Sequence, residues 1–322
     1  MVAPRMAVSV DVIICTRNRA ESLRETLDSI ARLEIPDGVS AHLLIVDNAS
    51  TDHTRQVVES CSVRQMPVRY FVETQRGLSN CRNRAIAVTD GQILLFTDDD
   101  VRPPVDWIAA MIRPIVDGQA DAVAGAVRAA PNLNRDWVKS MHRSWLACTE
   151  DANPNETPFL VGANMCFSRK VLSKVPGFDP ELGAGARGNA EDTLFTIQLE
   201  RAGFHRVFLP NVVVEHHFEE SRLTRDAFVR QAKLRGELDA YLKHHWFHSD
   251  SRFPRLRLAQ RQLQYLWKCL THLATHLSSI SSKTIADWEL PMLEAIYLYR
   301  FYLSERKLPR RYEKMGLIKI SS

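Results

Sequence analysis

The residues best suited to do chemistry are Asp98, Asp99 and Asp100, three adjacent carboxylates that close the apolar run LLFT. Three like charges side by side repel one another. A segment that only turned the chain would use Asn, Gly or a single Asp. The triplet therefore points to a bound cation. Two further polar clusters, Thr16-Arg17-Asn18 and Asp47-Asn48-Ala49-Ser50, also follow apolar runs.

The elements that would position these clusters follow from periodicity. Residues 8–15, 42–47, 67–73, 92–97 and 120–127 are largely apolar runs of strand length,. Residues 19–33 carry Leu23, Leu27, Ile30 and Leu33 at helical spacing,. Pro36-Asp37-Gly38 is a turn,. Ser50, Thr51 and Asp52 supply N-cap residues for a helix through residue 59,. Residues 78–88 and 107–116 complete the helices. Near-continuous apolar strands alternating with helices predict a mostly parallel α/β sheet. In such sheets ligands bind beyond the carboxyl ends of the strands. Each polar cluster alone could be a turn, but three at that edge read as one site.

From about residue 131 the pattern is irregular. Residues 158–168 read as a strand with a Gly interruption, 179–189 as a Gly-rich loop and 190–201 as a helix. Short strands are expected at 205–209 and 212–216. Beyond residue 222 the chain reads as helical. Leu263, Leu266, Leu270, Leu273, Leu277 and Ile280 recur every three or four residues, a style continued by Leu293, Ile296, Tyr297 and Leu303.

With 322 residues, 45% hydrophobic and 25% charged, the chain has the composition of a soluble globular protein of one large or two ordinary domains,. No apolar run approaches the roughly 18 residues of a membrane span. The N-terminus lacks the apolar core of a secretory signal,. Six scattered Cys without a Cys-x-x-Cys pair argue against a zinc site or a disulfide framework and fit a reducing cytoplasm,. The net charge of +4 is unevenly spread: residues 221–322 hold 19 Lys/Arg and 9 Asp/Glu, a net of +10, against −6 for residues 1–220. An acidic front and a basic tail suggest different tasks.

At this point the motifs become recognisable. "VIICTRNRAESLRETLDSI", "LLIVDNASTDHT", "RGLSNCRNRAI", "LLFTDDDVRPPVDWI", "VGANMCFSRKVLSKVPGFDP" and "GNAEDTLFTIQLERAGFHRVFLPNVVVEHH" occur in family order. Over about residues 8–217 the chain resembles a family 2 glycosyltransferase of the GT-A fold. The last hundred residues match no such pattern.

The resemblance implies a catalytic domain over residues 1–220, with a nucleotide half at 8–128 and an acceptor half at 129–220. A basic helical extension, 221–322, would follow. It implies inverting transfer from a nucleoside-diphosphate sugar, UDP-linked by preference, to a saccharide or lipid-linked saccharide acceptor in polysaccharide assembly. A divalent cation, Mg²⁺ or Mn²⁺, would stabilise the departing diphosphate. Asp100 would bind this metal, with His216 the second ligand and His217 its rival. Asp98 would lie near the ribose, and Asp99 would orient the loop or the donor sugar. Thr16, Arg17 and Asn18 would line the nucleotide. Asp47 would accept a hydrogen bond from the base, its alternative being an Asx turn. Arg76 and Arg82 would offset phosphate charge. Asp192 would be the general base, with Glu191 binding a hydroxyl; both could instead simply complement a helix dipole. Gly183, Gly185 and Gly188 suggest a lid or a plain loop.

The basic tail has two readings. It packs its Leu stripe on the catalytic core, or it approaches anionic lipid as a peripheral contact at the inner face of the membrane. No nucleic-acid-binding module is present. Two rival classes are a nucleotide-binding protein without transferase activity and a sugar nucleotidyltransferase. The latter would carry a Gly-rich phosphate loop after the first strand, where this chain has "CTRNRAES",. A dinucleotide dehydrogenase is disfavoured for the same reason.

Overall fold

The structure, a computed structural model, describes residues 8–153, 156–188, 191–275 and 284–320. The chain begins β1 (Val8–Thr16), α1 (Ala20–Ile30), β2 (Val39–Asp47), α2 (Thr54–Glu59), β3 (Val68–Val72), α3 (Leu78–Val88) and β4 (Ile93–Asp98). It continues through β5 (Val101–Arg102), α4 (Trp107–Val116), β6 (Ala122–Ala129), α5 (Ser140–Trp145), β7 (Met165–Ser168), α6 (Glu191–Arg201) and β8 (Arg206–His216). Three helices close it: α7 (Arg225–Tyr241), α8 (Pro254–Thr275) and α9 (Glu289–Glu305). Two compact units result. One comprises Met1–Asn134, Ala147–Ala186 and Glu191–Phe218; the other comprises Arg135–Leu146, Arg187–Ala190 and Glu219–Ser322.

The first unit is a mixed sheet ordered β3-β2-β1-β4-β7-β6-β8-β5. β1, β2, β3 and β4 are parallel, as their apolar runs require of strands covered on both faces,. One face packs Val12, Ile14, Leu43, Ile45 and Leu95 against α1 and α4, through Leu23, Leu27, Trp107 and Met111. The other packs Ile13, Leu44, Leu94 and Phe96 with Phe167, Phe178 and Phe195. The registers pair Thr16 with Asp47 and Cys15 with Asp98, so the carboxyl ends of β1, β2 and β4 stop level. That is the physical reason the three polar clusters share one edge. Asp52 locks two helices there. Its carboxylate accepts from the first N–H groups of α1, at Ala20, and of α2, at Thr54, each at 3.1 Å,.

Two strand expectations need correction. Residues 158–168 are not one strand: a 3₁₀ turn at Gly162–Asn164 precedes β7. The turn buries the Asn164 amide, which accepts from Trp107 Nε1 at 2.9 Å and donates to the carbonyls of Ala126 and Val212. Residues 205–209 and 212–216 are halves of one strand, β8. Its register with β6 shifts between Gly125 and Ala126, where Pro210, Asn211 and Val212 bulge out of the ladder,. β8 then pairs antiparallel with β5, Val101 opposite His216. This carries the end of β8 to the acidic triplet.

In the second unit α7 and α9 pack closely at Gly236, where a Cβ would come within 2.5 Å of Tyr297 Cβ. Arg225 on α7 grips the Glu289 carboxylate of α9 through two N–H groups, at 2.9 and 2.5 Å, and Tyr265 of α8 donates to the same carboxylate. The expected burial of the Leu stripe is not found: Leu263, Leu266 and Leu270 on α8 are exposed. The side chain of Leu273, and residues 277 and 280, lie outside the described residues. No helix among the described residues is long and apolar enough to cross a membrane.

Candidate active site

The acidic triplet occupies the end of β4 and the turn beyond it. α1 clamps that turn, since the hydroxyls of Ser22 and Thr26 donate to the Asp99 carbonyl at 2.9 and 2.8 Å. Asp99 and Asp100 are buried, and one guanidinium holds them together. Arg19 reaches Asp99 at 2.9 Å and Asp100 at 2.8 Å. The Thr16 hydroxyl donates to the second oxygen of Asp99 at 2.7 Å. Burial pushes the Asp99 carboxyl up to about 7 against the pull of Arg19. Burial would also raise Asp100, but His216 and Arg19 outweigh it and hold Asp100 well below the usual carboxylate range. The two neighbours are thus driven apart, and Asp100 is the one kept ionised.

His216 is buried beside Asp100, with Nε2 at 3.4 Å from Oδ1. Asp100 Oδ1 and His216 Nδ1 have no hydrogen-bond partner among the described residues. The unpartnered Asp100 Oδ1 thus faces Nε2 of an imidazole whose other nitrogen is also unpartnered, and a carboxylate oxygen beside an imidazole suits a divalent cation that takes oxygen and nitrogen donors,. Among the described residues no group of three or more His, Cys, Asp or Glu side chains could hold a metal. The remaining ligands would have to come from substrate or water, as at an open catalytic site. His217 lies 3.6 Å from Glu215 instead, and only its backbone N–H meets the triplet, at the Asp100 carbonyl. Of the two expected rivals, His216 is the one whose imidazole faces Asp100.

A second guanidinium organises the other acids. Arg82 on α3 is 3% exposed; it lies 2.5 Å from Glu191 and 3.8 Å from Asp98, beneath the Phe178 ring. Gly162 permits this, because a Cβ there would fall 1.8 Å from the guanidinium. Glu191 and Asp192 begin α6. Burial pushes Glu191 up to about 7 despite Arg82, with Asp192 and Asp98 adding to the rise. Asp192 accepts from the Gly162 and Thr193 N–H groups at 3.2 and 2.8 Å, and burial raises it against Arg82. Three carboxylates around one buried guanidinium leave excess negative charge, which raises their affinity for protons,.

The nucleotide-side residues lie on tied loops. Asn18, at φ +50°, donates its N–H to Ser50 at 2.8 Å and accepts from the Thr51 N–H at 2.7 Å. Asp47 ties the turn that follows it: one oxygen accepts from the Ser50 N–H three residues on, at 2.9 Å, the other from the Tyr70 hydroxyl. Asn48 donates to the carbonyls of Glu73 and Gln75 and accepts from the Gly77 N–H, so it shapes the loop bearing Arg76. Arg17 and Arg76 are exposed. Gly183, Gly185 and Gly188 have φ between +89° and +99°. The loop is anchored where Ser79 donates to the Leu182 carbonyl at 2.7 Å and Leu78 N–H to that of Ala184 at 2.9 Å.

Fold and site together define the class. A mixed α/β sheet with carboxylates massed at the carboxyl ends of its parallel strands, followed by a helical region, is the GT-A fold of glycosyltransferases. Residues 11–175, just over half the chain, match the family Glycosyl transferase family 2. The chain belongs to that family and is a glycosyltransferase. It is 26% identical over 235 residues to the succinoglycan biosynthesis protein ExoM of Rhizobium meliloti, covering 68% of this chain and 70% of that one. It is 25% identical over 245 residues to the glucosyl-dolichyl phosphate glucuronosyltransferase of Haloferax volcanii, covering 71% and 75%. In three dimensions it is similar to the mannosyltransferase PcManGT of Pyrobaculum calidifontis, solved with GDP-Man and Mn²⁺. That match has a TM-score of 0.57 and 22% identity over 92% of this chain and 85% of that one.

Proposed function

We propose that the protein is an inverting, divalent-metal-dependent transferase that moves a sugar from a nucleoside diphosphate, UDP by preference, to a saccharide hydroxyl. The approach of the buried His216 Nε2 to the unpartnered Asp100 Oδ1, at 3.4 Å, carries this reading. These two residues would hold the metal. When bound, it would act as a Lewis acid that stabilises charge developing on the diphosphate. Asp100 suits the task because it stays ionised, while Arg19 holds its other oxygen and fixes its direction. Asp98, a third exposed beside Arg82, is available to a ribose hydroxyl. Asp47 and the tied loops around Asn18 would receive the base.

Asp192 is assigned the general base. Its elevated proton affinity favours taking the acceptor hydroxyl proton as that oxygen attacks the anomeric carbon and the diphosphate leaves,. Attack opposite the leaving group inverts the centre, so an α-linked donor yields a β-linked product. Arg82 works through its neighbours in this reading: it anchors Glu191 and Asp98 rather than contacting phosphate itself. Glu191 would bind a sugar hydroxyl. Residues 1–220 would act as the catalytic domain and 221–322 as an extension; the two compact units support this division except at residues 135–146 and 187–190, which group with the second unit. Incubation with UDP-, GDP- and dTDP-sugars, a saccharide acceptor and Mn²⁺ tests the proposal. The expected result is release of UDP and a product of opposite anomeric configuration by NMR. Retention of configuration, or no nucleotide release from any donor, would overturn it.

A further inference from the structure

Helix α8 presents an apolar face to solvent. Leu256, Leu263, Leu266, Trp267 and Leu270 are 57–67% exposed. At helical pitch they fall within one arc of about 100°. The opposite face, with Tyr265 and Cys269, is half-buried, and Tyr265 donates to Glu289 and lies tilted against the Trp288 ring at 6.2 Å. The exposed arc is therefore the side this helix leaves without a neighbour among the described residues. Phe253, 59% exposed, stands one residue before the helix. Single exposed Leu residues are ordinary, but a contiguous row with a Trp marks an interaction surface.

The charges say what covers it. Arg255, Arg257, Arg261 and Lys268 lie on α8, which contains no Asp or Glu. At helical pitch Arg255 borders the apolar arc, while Arg257, Arg261 and Lys268 lie about 80–120° beyond its other edge, towards the face of Tyr265. A second copy of the helix would bring an equal positive charge against this one, with no carboxylate to pair it. An anionic lipid surface meets both demands: acyl chains take the Leu and Trp side chains, headgroups take Arg255 at the border of the arc, and the remaining positive charge of a helix without acids adds longer-range attraction. The protein lacks a spanning helix among its described residues, so such a contact would lie in the plane of the interface. We infer that α8 seats this glycosyltransferase on an anionic membrane through its outward Leu–Trp face. The inference stands on the exposed face and its charges and does not depend on the donor or the metal.

The test is co-sedimentation of the full chain with phosphatidylcholine vesicles, with and without phosphatidylglycerol. We expect binding that requires phosphatidylglycerol. Leu263→Glu with Leu266→Glu should abolish it, and Arg255→Gln should lower partitioning about fivefold, more than Arg261→Gln on the far side of the helix. Both leucines are already exposed, so the double variant should keep the wild-type circular dichroism. Light scattering separates the alternative occupant. No vesicle binding, equal binding to neutral vesicles, or a dimer that the leucine double variant dissociates would each overturn the assignment.

Discussion

Replacing Arg82 by Met removes the one guanidinium among three carboxylates while keeping an unbranched apolar stem. In the wild type the charge is 3% exposed and 2.5 Å from Glu191. Removing one partner of a buried pair destabilises by about 3–5 kcal/mol, because the remaining charge is stranded. That is a large part of the roughly 5–15 kcal/mol that holds a domain folded, yet it leaves a folded state to measure. The loss should depend on pH. The Glu191 carboxyl has a folded value of about 7, raised above its unfolded value. A raised acid binds its proton more tightly in the folded state, so its contribution to stability is full below the unfolded value and is lost as pH rises through the folded one. Without Arg82 that folded value rises further. Below it the carboxyl is neutral in both proteins and loses little when the guanidinium goes. Above about 7 it is ionised in the wild type and must be neutral or unpaired in the variant. Urea unfolding followed by Trp fluorescence at several pH values measures the difference. The expected penalty is greatest above neutral pH and shrinks on acidification. A penalty under about 1 kcal/mol, or one independent of pH, would refute the reasoning.

Two further substitutions probe the same cluster. Asp192→Asn should lower kcat by about 10²–10⁴-fold while nucleotide affinity, read by calorimetry, stays near wild type; equal losses in both would deny it the role of base. Gly162→Ala places a Cβ 1.8 Å from the buried guanidinium of Arg82. It should destabilise by about 1–3 kcal/mol and reduce turnover with it, whereas an unchanged thermal midpoint would show that Arg82 can move aside.

The parallel strands were legible because burial on both faces leaves near-continuous apolar runs, and the helix at Ala20–Ile30 followed from its periodicity. Register then made the site legible, since level strand ends gather Thr16, Asp47 and Asp98. The partners of the two arginines were not. Arg19 binds Asp99 and Asp100 about 80 positions away, and Arg82 binds Glu191 at a separation of 109. Local sequence offers a lone arginine the same look whether it awaits phosphate or a buried acid. Arg19 went unremarked for that reason, although it adjoins the polar cluster at Thr16. The Leu stripe of α8 shows a second limit. Periodicity defines an apolar face but not what that face meets, and here it meets solvent. The β8 bulge was hidden because Pro210-Asn211 looks like a strand break when the partner strand is unknown.

The central claim is that Asp100 and His216 hold a metal that in turn holds a nucleoside diphosphate. Calorimetric titration of UDP, with Mn²⁺ and with EDTA, on the wild type and on Asp100→Ala tests it most directly. The account predicts UDP binding that needs Mn²⁺ and weakens more than about tenfold, over 1.4 kcal/mol, in the variant. UDP affinity unaffected by EDTA and by the substitution would contradict it.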